Sequence, residues 1–115
     1  QGKIVRALIE VNLGGEQTKS GIAPARIEPL LEAVSPFSSL RVEGFMTIPP
    51  PGPGAEASRP YFQELARLRE RYSRFQTANI TLRELSMGMT DDYQVAIEEG
   101  ATIVRIGRAI FGERQ

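Results

Sequence analysis

The residue types best suited to chemistry gather near the end of the chain, in ELSMGMTDDYQVAIEEGATIVRIGRAIFGE, residues 84–113. Ser86 closes one apolar run and is followed by Gly88. Arg105 lies within a second run and is followed by Gly107. A hydroxyl at a strand end can donate to a phosphate oxygen. Glycines there let the backbone come close to a ligand, where a side chain would block it. Met87, Met89 and Arg108 would add backbone N–H groups by their positions. Two such turns on neighbouring parallel strands form the type of paired loop that binds phosphate after the last two strands of (β/α)8 barrels. The alternative is that both glycines serve only tight turns.

Arg105 needs a partner whichever reading holds, because a charge inside an apolar strand is costly unless paired. Alternation puts Ile103, Arg105 and Gly107 on one face of the strand. One possibility is a buried ion pair with Glu84 or Glu10. The other is a ligand. Asp91 and Asp92 read as caps of the following helix and not as catalytic acids, and Glu98 and Glu99 as exposed helix residues.

Positioning these residues requires strands alternating with helices. Ile4–Val11 is nearly continuous in apolar residues, as in a parallel strand buried on both faces. Residues 24–34 read as a helix, with proline in its first turn and Ile27, Leu30, Leu31 and Val34 on one stripe. Pro36 ends it. Leu40–Ile48 is a second strand, and the proline-glycine run at 49–54 a stiff loop. The longest helix is expected over 59–78, its arginines forming a solvated outer face. A third strand over 82–87, a helix over 91–99 and a fourth strand over 102–106 complete the order β-α-β-α-β-α-β, which argues for a parallel sheet.

Composition narrows the function. The chain has 115 residues, 14 basic and 14 acidic, and a net charge of zero, so bulk electrostatics favour neither nucleic acid nor an acidic membrane. It contains no cysteine and no histidine, which leaves out disulfides, thiol nucleophiles, the usual zinc sites and Ser-His-Asp chemistry. No apolar run suits a membrane span or signal peptide. A single cytoplasmic domain over residues 1–115 is expected, with no metal site.

The segments SMGMTDDY and AIEEGATIVRIGRAIFG resemble the C-terminal signature of the pyridoxal-phosphate homeostasis proteins, whose fold is similar to the N-terminal barrel of alanine racemase. Val11-Asn12-Leu13, Glu16, Lys19-Ser20-Gly21 and the run GFMTIP at 44–49 also match. The resemblance implies the C-terminal half of a (β/α)8 TIM-type barrel, with parallel strands alternating with helices. It implies a protein that binds pyridoxal 5'-phosphate (PLP) for homeostasis and is not an enzyme. The alternative is a fragment of a racemase-like PLP enzyme. The implied cofactor-binding residues are Asn12, Ser86, Met87, Gly88, Arg105, Gly107 and Arg108. Asn12 would lie near the cofactor ring and Arg105 opposite its pyridine nitrogen. That nitrogen would stay unprotonated, since a guanidinium accepts no proton, and the ring would be a poorer electron sink. Thr47 sits at the same rim, with a backbone-bonded hydroxyl as the equally open reading. Many members carry Thr or Ser where Arg108 stands, which implies a lost hydroxyl contact and a retained N–H.

The family's members are about twice this length, and their cofactor-bearing lysine lies in an N-terminal half with no counterpart here. Lys3 and Lys19, the two lysines present, are not placed at strand ends that face the barrel. Half a barrel leaves two open edges and an inner face, expected to be apolar. Three arrangements would relieve this: a missing N-terminal half, a second copy of the chain, or an open layer that buries its own face.

Overall fold

The computed structural model describes residues 3–15, 20–75 and 77–105. Strands β1 (Val5–Glu10), β2 (Leu40–Met46) and β3 (Ile80–Ser86) alternate with helices α1 (Ile27–Val34), α2 (Arg59–Arg71) and α3 (Tyr93–Glu98). The strands form one parallel sheet in the order β1-β2-β3. After α3 the chain returns parallel to the end of β3. This segment forms a single bridge, Ser86 with Ile103, where a strand over 102–106 was expected; Ile106 lies outside the described residues.

One apolar core joins helices and sheet. It comprises Ile9 and Val11 from the first strand and its end, Val42 and Phe45 from β2, and Ile80, Leu82 and Leu85 from β3. These meet Ile27 and Leu31 of α1, Phe62, Leu65 and Leu68 of α2, and Val95 and Ala96 of α3. Each helix has its apolar residues on one stripe and has little choice but to bury it against the sheet. The result is an open layer covered by its own helices on one face.

Several boundaries differ from the sequence expectation. Residues 24–26 form a 3-10 turn, and the α-helix begins at Ile27. The longest helix stops at Arg71 rather than 78. There the Tyr72 ring turns edge-on to Phe45, with centroids 6.5 Å apart. The buried Asn79 holds the chain that follows. Its amide group donates to the carbonyls of Val34 (3.1 Å), Phe37 (2.8 Å) and Leu40 (2.9 Å). One side chain thus ties the entry of β3 to the exit of α1 and the start of β2. Burial of β1 on both faces is not observed. Ile4 and Val5 are more than half exposed, because among the described residues β1 pairs with a strand on one side only.

The alternation of the strands is broken by bulges. Val42 pairs with Ile80, and the next pair is Gly44 with Glu84. Two residues of advance on β2 therefore meet four on β3. Leu82, at the centre of the longer stretch, has φ 48°, a left-handed conformation rare for a bulky residue. The bulge reverses the pleat. Ile80 and Leu82 face the helices, and after the bulge Leu85 and Met87 do so. Glu84 and Ser86 are thereby sent to the opposite face, where they line an open concavity of about 710 Å³. Gly44 permits this geometry. A Cβ there would stand 1.9 Å from the Glu84 carbonyl oxygen.

The opposite face was expected to be apolar and is not. Arg6, Glu10, Glu43, Glu84 and Arg105 line it beside Leu8, Met46, Ser86 and Ile103. Most of the apolar residues of the strands are already used on the helical side, and the bulge in β3 turns Glu84 and Ser86 inward.

Candidate cofactor-binding site

The C-terminal ends of the strands come together at one rim of this concavity. The ladder continues past β1 and β2 through Val11 N–H to Met46 O (2.8 Å) and Thr47 N–H to Ser86 O (3.1 Å). The buried Thr47 hydroxyl donates to the Val11 carbonyl at 2.8 Å. This is the backbone-bonded alternative for Thr47, whose hydroxyl locks the rim. Asn12 follows directly, its N–H bonded to Ile22 O at 2.8 Å.

The two turns predicted to be neighbours lie side by side as far as the described residues run. Thr102 and Ile103 donate to Leu85 O (2.9 and 3.1 Å), Met87 N–H donates to Ile103 O (3.0 Å), and Arg105 N–H donates to Gly88 O (3.0 Å). The Thr102 hydroxyl accepts from Leu85 N–H at 2.8 Å. Gly107 and Arg108 lie outside the described residues, as does Lys19.

These bonds change which groups are available. The Met87 amide, expected as a donor to phosphate, is committed to Ile103 O, and the Met87 side chain is buried in the core. The Met89 amide is also committed, to Asp92 Oδ1 at 2.8 Å. Asp92 does hold the N-cap position of α3, but its carboxylate reaches back to this turn and not forward to the helix. Of the three amides at 87–89, only that of Gly88 has no acceptor among the described residues. Gly88 itself is required by its own chain. It has φ 101°, and a Cβ there would meet the Ala96 Cβ at 2.5 Å. Its missing side chain lets α3 dock, and the space a Cβ would enter belongs to the helix.

Ser86 is nearly buried in the concavity, and its hydroxyl has no partner among the described residues. Arg105 is exposed in the same concavity and forms no ion pair with Glu84, Glu10 or any other described carboxylate. The buried-pair alternative for Arg105 is therefore not what the structure shows. The proline loop folds over the rim beside Thr47 and Gly88, bounding a second cavity of about 360 Å³.

The turn is braced from outside by a cluster that was not foreseen. Arg59, at the start of α2, bonds Glu56 (2.8 Å), Glu98 (2.7 Å) and Glu99 (2.6 Å). Glu99, expected to be exposed, is mostly covered. The hydrogen bond from Arg59 holds the Glu56 carboxyl below its ordinary range, and Glu56, Glu98 and Glu99 raise the guanidinium's pKa. The four charges clamp α3 to α2 and so hold the 88–92 segment in place. Gly44, Leu82, Asn79 and Arg59 all position the site. Only the glycine inside a strand pattern carried a readable signal, that of a bulge or close approach.

Among the described residues no group of His, Cys, Asp and Glu could hold a metal ion, and no helix is long and apolar enough to cross a membrane.

A parallel strand–helix layer with unpaired donors among the described residues at its C-terminal rim belongs to a known class. The family model described as alanine racemase, N-terminal domain, matches residues 1–115, and the chain belongs to that family. Similar relatives are named pyridoxal phosphate homeostasis protein. The one from Aquifex aeolicus is 51% identical over 108 residues, which is 94% of this chain and 46% of that protein. The Escherichia coli one is 40% identical over 114 residues, 96% of this chain and 46% of that protein. PipY of Synechococcus elongatus, solved with PLP bound, superposes with a TM-score of 0.81 at 30% identity, covering 96% of this chain and 50% of that one. The chain thus spans about half the length of the relatives it matches.

Proposed function

We propose that this chain is the phosphate-gripping half of a PLP-binding barrel that stores and releases the cofactor in the cytoplasm without catalysing its chemistry. The observation that carries the proposal is the parallel pairing of 86–88 with 103–105. It gathers the Ser86 hydroxyl, the Gly88 N–H and the Arg105 guanidinium near one rim, each without a partner among the described residues. The unpaired Ser86 and Gly88 donors at a strand-end rim are what a phosphate monoester needs, and the Arg105 guanidinium is left for the ring, so these residues fit the cofactor. The names of the relatives and the PLP-bound neighbour support the reading.

When bound, PLP supplies an aldehyde for amines and an electron-withdrawing ring. The chain's own part is to hold it. Ser86 and Gly88 would donate to phosphate oxygens; Gly107 and Arg108, which the resemblance also implies, lie outside the described residues. Arg105 would meet the pyridine nitrogen with donors only. Asn12 borders the ring. The lysine that would bond to the cofactor is supplied by the other half of the barrel, since exposed Lys3 precedes β1. The non-catalytic role is supported by the tyrosines. Tyr61 and Tyr93 lie on helices and Tyr72 just beyond one, so no tyrosine of the described residues lines the concavity. A PLP adduct trapped by borohydride and weighed by intact mass tests the reading. An adduct on a polypeptide that completes the barrel is expected. Saturable PLP binding that Ser86→Ala and Arg105→Ala leave untouched would overturn it.

A further inference from the structure

The inner face carries an unbalanced set of charges in a defined order. Arg6 is already bonded to Glu43 at 2.8 Å. Leu8, Gly44 and Glu84 stand in one row across the strands; Glu10, Met46, Ser86 and Ile103 stand in the next. Glu84 lies beside Gly44, which has no side chain to offer, and is already half covered. The one side-chain bond of Glu10 among the described residues comes from the Ser20 hydroxyl, at 2.8 Å. Neither glutamate has an ion pair among the described residues, and Arg105 at the rim faces the cofactor in the reading above. Two carboxylates therefore point into the concavity with no cation paired to them among the described residues.

Any unit that closes the barrel removes these carboxylates from water. A buried carboxylate without a partner is strongly disfavoured. We infer that the unit covering this face is the other half-barrel of the same fold, and that it presents at least two basic side chains inward, one against Glu84 and one against Glu10. The inference rests on the half-barrel reading. The outer side of β1 pairs with Ile22 at its C-terminal end and with no described strand before that, which leaves an edge on which such a unit would pair, and the matched relatives are about twice as long as the matched region.

The test is a full-length chimera in which this chain replaces the matching stretch of the Aquifex aeolicus protein. Cooperative melting with uptake of PLP is expected of the chimera itself; failure of both would sink the half-barrel reading and this inference together. With that satisfied, Glu84→Gln and Glu10→Gln should each lower Tm, by on the order of 10 °C for a fully buried pair, because an orphaned cation remains. Glu84→Lys should be worse than Glu84→Gln. If the glutamine variants melt unchanged or higher, no cation faces these residues, and the inference fails while the half-barrel stands. Should Glu84→Gln not fold, Glu10→Gln carries the same comparison in the next row. A stable dimer of the isolated chain that Glu84→Lys dissociates would give the face to a second copy and overturn the proposal.

Discussion

Replacing Gly44 by alanine is the sharpest test of how the site is built. Gly44 pairs with Glu84 at the exit of the bulge, and an added Cβ would lie 1.9 Å from the Glu84 carbonyl oxygen and 2.6 Å from its carbonyl carbon. Both contacts are to backbone, so no rotamer change relieves them. To bring the oxygen beyond 3.0 Å, below which real Cβ contacts are essentially never found, β3 must move by about an ångström relative to β2. That motion costs roughly 1–3 kcal/mol in overpacking and weakens the adjoining ladder bonds, at about 1 kcal/mol each. The entropic benefit of Gly→Ala, about 0.4–1 kcal/mol, is smaller and of opposite sign. A net loss of roughly 2–3 kcal/mol is expected, read by urea denaturation. Gly15→Ala is the control. It has φ 70° but nothing within 4 Å of the new methyl, so its loss should be about 1 kcal/mol, from backbone strain alone. Because Ser86 lies two residues beyond Glu84, Gly44→Ala should also weaken phosphate binding in whatever fraction stays folded. Gly44→Ala that is as stable as the parent, or more so, would refute the reasoning about the bulge.

Asn79→Ala strips the carbonyls of Val34, Phe37 and Leu40 of their shared donor; a loss of about 2–4 kcal/mol, with faster amide exchange at the start of β2, is expected from denaturation and hydrogen exchange. Ser86→Ala should leave the unfolding midpoint almost unchanged, because its hydroxyl has no partner among the described residues, while lowering PLP affinity about tenfold or more, as read by absorbance titration. The Arg59 clamp should depend on pH in one direction. The hydrogen bond from Arg59 holds the folded Glu56 carboxyl below the ordinary carboxylate range, so its contribution is complete above that range and is lost as pH falls through the lower folded value. The Tm gap between the parent and Glu56→Gln should therefore close only in acid and persist at neutral pH. Arg59 stays charged throughout.

How much of this was legible in the sequence depended on the range over which each signal acts. The apolar stripe of Ile27, Leu30, Leu31 and Val34 announced α1, because helical periodicity is local. The serine and glycine within 86–88 announced a turn at a strand end for the same reason, and the resemblance named the ligand class. The strand identities were also legible. Their faces were not: alternation assumes an unbroken pleat, and the register shift at Leu82 exists only once β3 lies against Gly44. The end of α2 was not legible, because the helix gives way at Tyr72, whose ring packs edge-on against Phe45 of β2, a contact between residues distant in the chain.

The chain's residue order by itself determined the α/β class, the repeating strand–helix units, the exclusion of histidine and cysteine chemistry, and the position of the glycine turn at the end of β3. Tertiary structure decided which donors are free. Met87 and Met89 look equivalent to Gly88 along the chain, yet their amides are spent on Ile103 and Asp92. It also decided that the inner face is charged. Each strand can bury only one face against its helices, and the bulge at Leu82 selects which residues are left for the other.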